Sequence, residues 1–200
     1  MTLFPAFLKL GGRRCVVVGA GPVAEEKIPG LLRAGARVRV VAPQATERVQ
    51  DWARAKKIIW ERRAFRSADL AGAFLVIAAT SSPSLHARIL TQARRRGVLC
   101  NAVDDPEHCD FFYGAVVRRG GLLIAISTSG RSPALAQRIR KKLEQEFGEE
   151  YAAWVEEIGE VRRRLMERKL PRERRRVLLQ RLASEVSFEE FLRRDSRKRK

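Results

Sequence analysis

The chain has 200 residues, enough for one large domain or for one domain with an appendage. Hydrophobic residues make up 45% of it, so a substantial core can form, while 32% are charged and the formal net charge is +18. No apolar run approaches the length of a membrane span, and Met1 to Leu10 lacks the basic start and long apolar core of a secretory leader, so a cytoplasmic protein is expected and a membrane protein is not.

The charge excess is uneven. Val161 to Lys200 carries 16 Lys+Arg against 6 Asp+Glu, a net +10, and the remainder, 25 against 17, carries +8. The three cysteines are Cys15, Cys100 and Cys109. Two of them fall in predicted buried strands, and an odd count in such positions reads as reduced, packed thiols. No C-x-x-C spacing supports a metal site, and none is expected.

Arg14-Cys15-Val16-Val17-Val18 is a β-branched run that reads as a strand buried on both faces. Gly19-Ala20-Gly21-Pro22-Val23-Ala24 follows as G-x-G-x-x-A, and a helical pattern runs from Pro22 to Ala34. Gly19 permits the tight turn out of the strand, Gly21 lets a pyrophosphate approach the backbone, and Ala24 lets the helix pack closely on the strand. Pro22 suits the first helical turn, and the free N–H groups of that turn face the phosphates. Arg37-Val38-Arg39-Val40-Val41-Ala42 is a second strand and completes a βαβ unit, the context a dinucleotide fingerprint requires.

Pro43 to Lys57 reads as a turn and a short helix, and Ile58 to Arg62 as a third strand. Phe74 to Thr80 is a buried strand ended by Ser81-Ser82-Pro83. A helix then runs from Pro83 to Arg96 with Gly97 as its cap, and Val98 to Val103 is the next strand. This order predicts an α/β fold with a doubly wound parallel sheet of the Rossmann type. The rhythm then changes. Phe111 to Arg118 and Leu122 to Ser127 read as two strands joined at Gly120-Gly121. Ser132 caps a helix with Pro133 at its first position, and the helix ends at Gly148. From Glu149 only helical patterns appear, broken at Pro171 and near Ser187, with Arg197 to Lys200 as a disordered tail. The expected divisions are a dinucleotide-binding domain over 1–112, a small α+β segment over 113–148, and a helical region with a basic tail over 149–200.

In a doubly wound sheet, ligands bind beyond the carboxyl ends of the strands. Four such ends are readable, and they nominate Gly19, Ala20, Gly21, Pro43, Gln44, Thr80 and Asn101 as dinucleotide contacts. The end of the second strand, Pro43-Gln44, offers neither an acid nor an arginine, so charge alone does not choose NAD over NADP. Asp104 and Asp105 follow the strand ending at Val103, where a carboxylate could take a proton from a substrate lying over the nicotinamide. Asp104-Asp105-Pro106 reads equally well as an Asx-capped turn. If the segment is extended, Asp104 and Asp105 point to opposite sides. His86 reads as a surface or packing residue on a helix. His108 sits in the loop beside the crevice, as a substrate contact, a proton carrier or a metal contact, or as a solvated loop residue. Ser127, Thr128, Ser129, Arg131 and Ser132 form an anion-receptive helix start suited to substrate carboxylates, and also a multiply capped one.

With these stretches in view, the chain resembles the siroheme synthase family, in particular its precorrin-2 dehydrogenase module, which in some members is also a sirohydrochlorin ferrochelatase. Five segments carry the resemblance, in family order over most of residues 1–150: Phe4 to Leu8, Val17 to Lys27, Ala34-Gly35-Ala36, Asn101 to Asp105, and Ile126 to Pro133. The resemblance implies NAD-dependent oxidation of precorrin-2 to sirohydrochlorin. It places Asp104 at the family's essential aspartate and Pro22-Val23 and Pro43-Gln44 at its NAD contacts. An acid-free second strand end is usual in the family. Thr128 falls where some fused members carry a phosphorylatable serine. The resemblance further implies a homodimer built by the segment after Tyr113, with the active site near the junction. Fe²⁺ as a chelatase substrate is left open. The methyltransferase domain fused in some members lies outside this sequence, so methylation is expected from another protein.

Two other readings remain. A non-catalytic dinucleotide sensor would need the cofactor site without Asp104 or the serine-rich corner. A nucleic-acid-binding protein would use the basic end, but those helices lack a recognition motif or stacking platform, and no nucleic-acid partner is expected.

Overall fold

The computed structural model describes residues 3–168 and 170–198, and Phe4–Phe112 form one of two compact units. In this unit five strands alternate with three helices: β1 (Arg14–Val18), α1 (Pro22–Arg33), β2 (Arg37–Val41), α2 (Glu47–Arg54), β3 (Ile59–Glu61), β4 (Leu75–Ala78), α3 (Pro83–Arg94) and β5 (Leu99–Ala102). All neighbouring strands are parallel, in the order β3-β2-β1-β4-β5. The expected doubly wound sheet is borne out.

Alternation along the strands sends residues to two apolar layers. Cys15, Val17, Val40 and Ile77 pack with Ala24, Ile28 and Leu31 of α1 and Val49 of α2. Val16, Val18, Val76 and Cys100 pack on the other face with Ile89, Leu90 and Ala93 of α3. Ile28, Ile77 and Ile89 are fully buried, each contributing about 2–3 kcal/mol of transfer free energy. Burial pushes the Cys15 thiol up to about 11 and the Cys100 thiol up to about 12, so both pack as thiols rather than thiolates. The first two helices cover one face and α3 the other. The winding therefore reverses between β1 and β4, and a crevice opens beyond their carboxyl ends.

The loop before β4 is fixed by one buried acid. Asp69, 4% exposed, accepts two hydrogen bonds from the Arg63 guanidinium, at 2.9 and 2.6 Å, and one from the Arg66 amide at 2.8 Å. The Arg63 hydrogen bonds, ahead of that amide, hold its carboxyl below the usual carboxylate range. A depressed folded pKa stabilises above the unfolded value, and the stability is lost as pH falls through the folded one. Asp69→Asn is expected to cost about 2 kcal/mol near neutral pH. Urea midpoints taken between about pH 7 and pH 3 should fall less steeply in the variant than in the parent.

The second unit begins at Tyr113. It holds an antiparallel hairpin of β6 (Ala115–Arg119) and β7 (Leu122–Ile126), then α4 (Pro133–Glu146), α5 (Glu150–Glu167), α6 (Arg172–Leu182) and α7 (Glu185–Lys198). Arg119 ties the hairpin to the end of α4, donating from Nε to the Phe147 carbonyl at 2.8 Å and from Nη2 to the Glu144 carbonyl at 2.9 Å. A cation on the last carbonyls of a helix also complements its dipole. Tyr151 and Trp154 of α5 pack on Phe188 of α7, ring centroids 4.6 Å apart in each case, and Phe191 is buried beside them.

Three expectations are corrected. Phe111 to Gly114 is not strand, because the Phe111 carbonyl is taken by the Asn101 side chain at 2.9 Å and the segment is held as a return loop. The helical break lies at Ala183-Ser184 rather than near Ser187: the Ser184 hydroxyl accepts from the Ser187 amide at 3.3 Å and caps α7. Arg197 and Lys198, expected in a disordered tail, continue α7, while Arg199 and Lys200 lie outside the described residues.

Candidate functional site

The two glycines of the fingerprint have different reasons to be glycine. Gly19 takes φ +103°, and a Cβ there would stand 2.1 Å from the Ala79 carbonyl oxygen, so the ends of β1 and β4 meet only because it has no side chain. Gly21 has φ −85° and ψ −170°, an extended conformation open to any residue, and a Cβ there meets no atom within 4 Å. The fold needs Gly19 and does not need Gly21. What Gly21 keeps clear is the space over the start of α1.

That helix start is suited to an anion. Gly21 is its N-cap with no side-chain cap, and Pro22 occupies the first turn. The Glu25 amide bonds the Gly21 carbonyl at 3.1 Å, whereas the amides of Val23 and Ala24 precede the first intrahelical acceptor. Ala20 and Ala24 are buried, and Ala24 seats α1 against the sheet. The Thr46 amide donates to the Ala20 carbonyl at 3.0 Å, which folds the exposed Pro43 and Gln44 beside the glycine turn. Thr80 follows β4, and its methyl group lies 3.3 Å from where a Gly19 Cβ would be. The room over Gly21 and the uncapped helix start fit a dinucleotide pyrophosphate.

The loop after β5 is tightly built. Asn101, 6% exposed, donates from Nδ2 to the Phe111 carbonyl at 2.9 Å and contacts the Cys109 sulfur at 3.3 Å. Its amide nitrogen thus holds the loop. Asp110 seals the free edge of β5, its carboxylate accepting from the Cys100 amide at 3.0 Å. Cys109 donates to the Ala102 carbonyl at 3.1 Å, and burial raises its thiol.

Asp104 and Asp105 diverge, but not by strand alternation. Residues 103 and 104 form a turn, and Asp104 takes the left-handed conformation at φ +60°. Such a conformation costs a non-glycine residue about 1 kcal/mol, least for Asp and Asn. Asp104 is exposed and makes no side-chain hydrogen bond among the described residues. Asp105 turns inward: its carboxylate accepts from His108 Nδ1 at 2.7 Å and lies 3.5 Å from His86 Nδ1. The His108 hydrogen bond is the main cause holding the Asp105 carboxyl below its usual range.

His86 is the residue that sequence reasoning underrated. It is 5% exposed, and its Nε2 lies 2.9 Å from the Thr80 carbonyl oxygen. A carbonyl only accepts, so Nε2 carries the proton. The signal was in the periodicity: His86, Ile89, Leu90 and Ala93 are the buried face of α3.

The serine-rich corner belongs to the second unit. The Ser127 hydroxyl accepts from the Ser129 amide at 3.1 Å, Thr128 Oγ1 from the Ser132 amide at 3.0 Å, and Ser132 Oγ from the Leu135 amide at 3.2 Å. The capping half of the expectation therefore holds here. Each hydroxyl still has its own proton to donate. Ser129 and Arg131 are exposed, with no side-chain partner among the described residues. Ser132→Ala is expected to cost about 1 kcal/mol, read as a lowered urea midpoint.

Against known proteins, residues 6–115 match the family model described as "Putative NAD(P)-binding", and residues 119–146 match "Sirohaem biosynthesis protein central". This chain belongs to the siroheme synthase family. A siroheme synthase of Nitrosococcus oceani is 37% identical over 84% of this chain and 36% of its own length. One from Photorhabdus laumondii is 38% identical over the same shares. The chain spans about a third of the length of these curated relatives. Among solved structures, SirC, a precorrin-2 dehydrogenase, superposes with a TM-score of 0.77 at 27% identity, covering 98% of this chain and 100% of that one. The resemblance to the siroheme synthase family is thereby borne out. Among the described residues no helix is long and apolar enough to cross a membrane.

Proposed function

We propose that this chain oxidises precorrin-2 to sirohydrochlorin with NAD, as a cytoplasmic homodimer. The likeness to SirC over nearly the whole of both chains carries the reading, since that protein is a precorrin-2 dehydrogenase of matching extent. NAD, when bound, supplies the hydride acceptor. Gly19, Ala20 and Gly21 leave room for its pyrophosphate, and the amides of Val23 and Ala24 donate to it. Pro43, Gln44, Thr80 and Asn101 flank it at the other strand ends. Asp104 takes the proton that leaves the macrocycle as the hydride departs, so one hydride and one proton account for the oxidation. His108 is a further substrate contact, and Ser127, Thr128, Ser129, Arg131 and Ser132 receive substrate carboxylates through hydroxyl protons and a guanidinium. The excess of cations suits an acidic tetrapyrrole.

Residues 1–112 serve as the NAD-binding domain, 113–148 as the dimerisation segment, and 149–200 as its helical continuation. A hairpin of two strands leaves both edges unpaired and is marginal alone, and Val116 on β6 is exposed; both features support pairing with a second copy.

The test is anaerobic incubation of the protein with precorrin-2 and NAD, following the tetrapyrrole spectrum and NADH together. Equal amounts of sirohydrochlorin and NADH are expected, and neither product above the protein-free control refutes the reading. A parallel incubation of sirohydrochlorin with Fe²⁺ tells whether this chain also inserts iron as substrate.

A further inference from the structure

We propose that Asp105, clamped between His86 and His108, is a positioning residue that presents Asp104 to the substrate. The inference rests on the reading of Asp104 as proton acceptor. The geometry gives the cluster a place between two strand ends. His86 leaves the first turn of α3 and is held at 2.9 Å by the Thr80 carbonyl, just beyond β4. Its other nitrogen lies 3.5 Å from Asp105, just beyond β5. His108 closes the clamp from the far side of the loop at 2.7 Å, on the other carboxylate oxygen. Asp105 thus has one oxygen hydrogen-bonded to His108 and the other facing His86, whereas Asp104, its chain neighbour, has no partner among the described residues and is exposed.

The division of labour follows from that contrast. A carboxylate already hydrogen-bonded to one imidazole and faced by a second is a poor proton acceptor for a substrate, and a free one is a good acceptor only if something else fixes it. Asp104 sits in a left-handed conformation that the local chain does not favour. Asp105 is the next residue, so anchoring its side chain to α3 and to His108 fixes the peptide that sets the direction of Asp104. The anchor at His86 is buried in the apolar face of α3 with Ile89, Leu90 and Ala93, which keeps it from drifting. The Cys109 sulfur lies 3.1 and 3.3 Å from the Ala102 and Asp105 carbonyl oxygens, sharing its one thiol proton between them, and holds the base of the same turn. Fixing a reacting group in this way is worth large factors in rate without touching ground-state binding.

A double-mutant cycle on the full chain separates positioning from a direct role. Asp105→Ala is expected to lower kcat for NADH formation about tenfold, with KM for precorrin-2 and the NAD dissociation constant within about twofold of the parent. Asp104→Ala/Asp105→Ala is expected to match Asp104→Ala alone, because Asp105 acts through its neighbour. Asp105→Asn, which keeps an acceptor for His108, should recover most of the rate. Parental turnover in Asp105→Ala overturns the proposal, as does a further tenfold loss in the double variant. Loss in Asp105→Ala with normal turnover in Asp104→Ala also overturns it, by making Asp105 the acceptor. Hydrogen exchange gives a readout that needs no turnover: the amides of residues 104, 105 and 107–109 should exchange faster in Asp105→Ala and in His108→Ala than in the parent. If the parent forms no NADH from precorrin-2, the functional reading fails, and unchanged exchange in both variants then overturns the clamp as well.

Discussion

Asp104→Ala is expected to leave the fold and the affinity for NAD intact while lowering NADH formation from precorrin-2 by about 10²-fold or more, the scale of losing a general base. The residue is exposed and makes no hydrogen bond among the described residues, so its removal breaks no contact. The cost to the fold is confined to the backbone, since alanine is less at ease than aspartate at φ +60°. Asp104→Asn removes that objection: asparagine accepts the left-handed conformation and keeps the shape but cannot take a proton at neutral pH. Both variants should show parental melting and calorimetric NAD binding, with the loss confined to kcat. A factor of 10² is about 2.7 kcal/mol of transition-state stabilisation, too large for a solvated loop residue without a chemical role. Near-normal turnover in either variant would remove Asp104 as the base while leaving the family assignment in place.

Much of this architecture was legible because single residues carry it. The valine run of β1 and Leu75 to Ala78 are apolar on both faces, and the structure buries them on both. Gly19-Ala20-Gly21-Pro22 between strand and helix fixed the βαβ unit. The failures are equally local. Phe111 to Gly114 has strand composition, but a buried asparagine ten residues earlier in the chain takes its carbonyl, and such a long-range hydrogen bond leaves no trace in local pattern. His86 was weighed by residue type and not by its place in the α3 repeat, so the link between Thr80 and Asp105 was missed. The separation of Asp104 from Asp105 was anticipated for the wrong reason: alternation requires extended backbone, and the chain turns there. Ser127 to Ser132 showed its caps plainly, because hydroxyls before a proline-started helix have few other uses.

Gly21→Asp is expected to weaken NAD binding strongly in a protein that folds normally, and Gly19→Ala to destabilise the fold itself. At Gly21 the backbone is extended and a Cβ would meet nothing within 4 Å, so aspartate is accommodated. It would also be a better N-cap than glycine, so its melting temperature should match or slightly exceed that of the parent. Its carboxylate, however, would take the helix amides offered to the pyrophosphate and set a negative charge against it. At about 4 Å and an effective dielectric of about 20, one such repulsion is worth about 4 kcal/mol. Even half of that lowers affinity roughly 30-fold, before the lost hydrogen bonds are added, and a fall of about 100-fold or more is expected in a calorimetric titration. At Gly19 the same small change meets the Ala79 carbonyl oxygen at 2.1 Å, in a backbone at φ +103° that alanine does not favour. Parting the ends of β1 and β4 at the sheet's centre should cost about 3 kcal/mol or more, seen as a lowered urea midpoint with or without NAD. The pair separates cofactor site from scaffold. Normal NAD affinity in a folded Gly21→Asp protein would place the dinucleotide elsewhere, and a fully stable Gly19→Ala protein would show that the strand ends do not meet there.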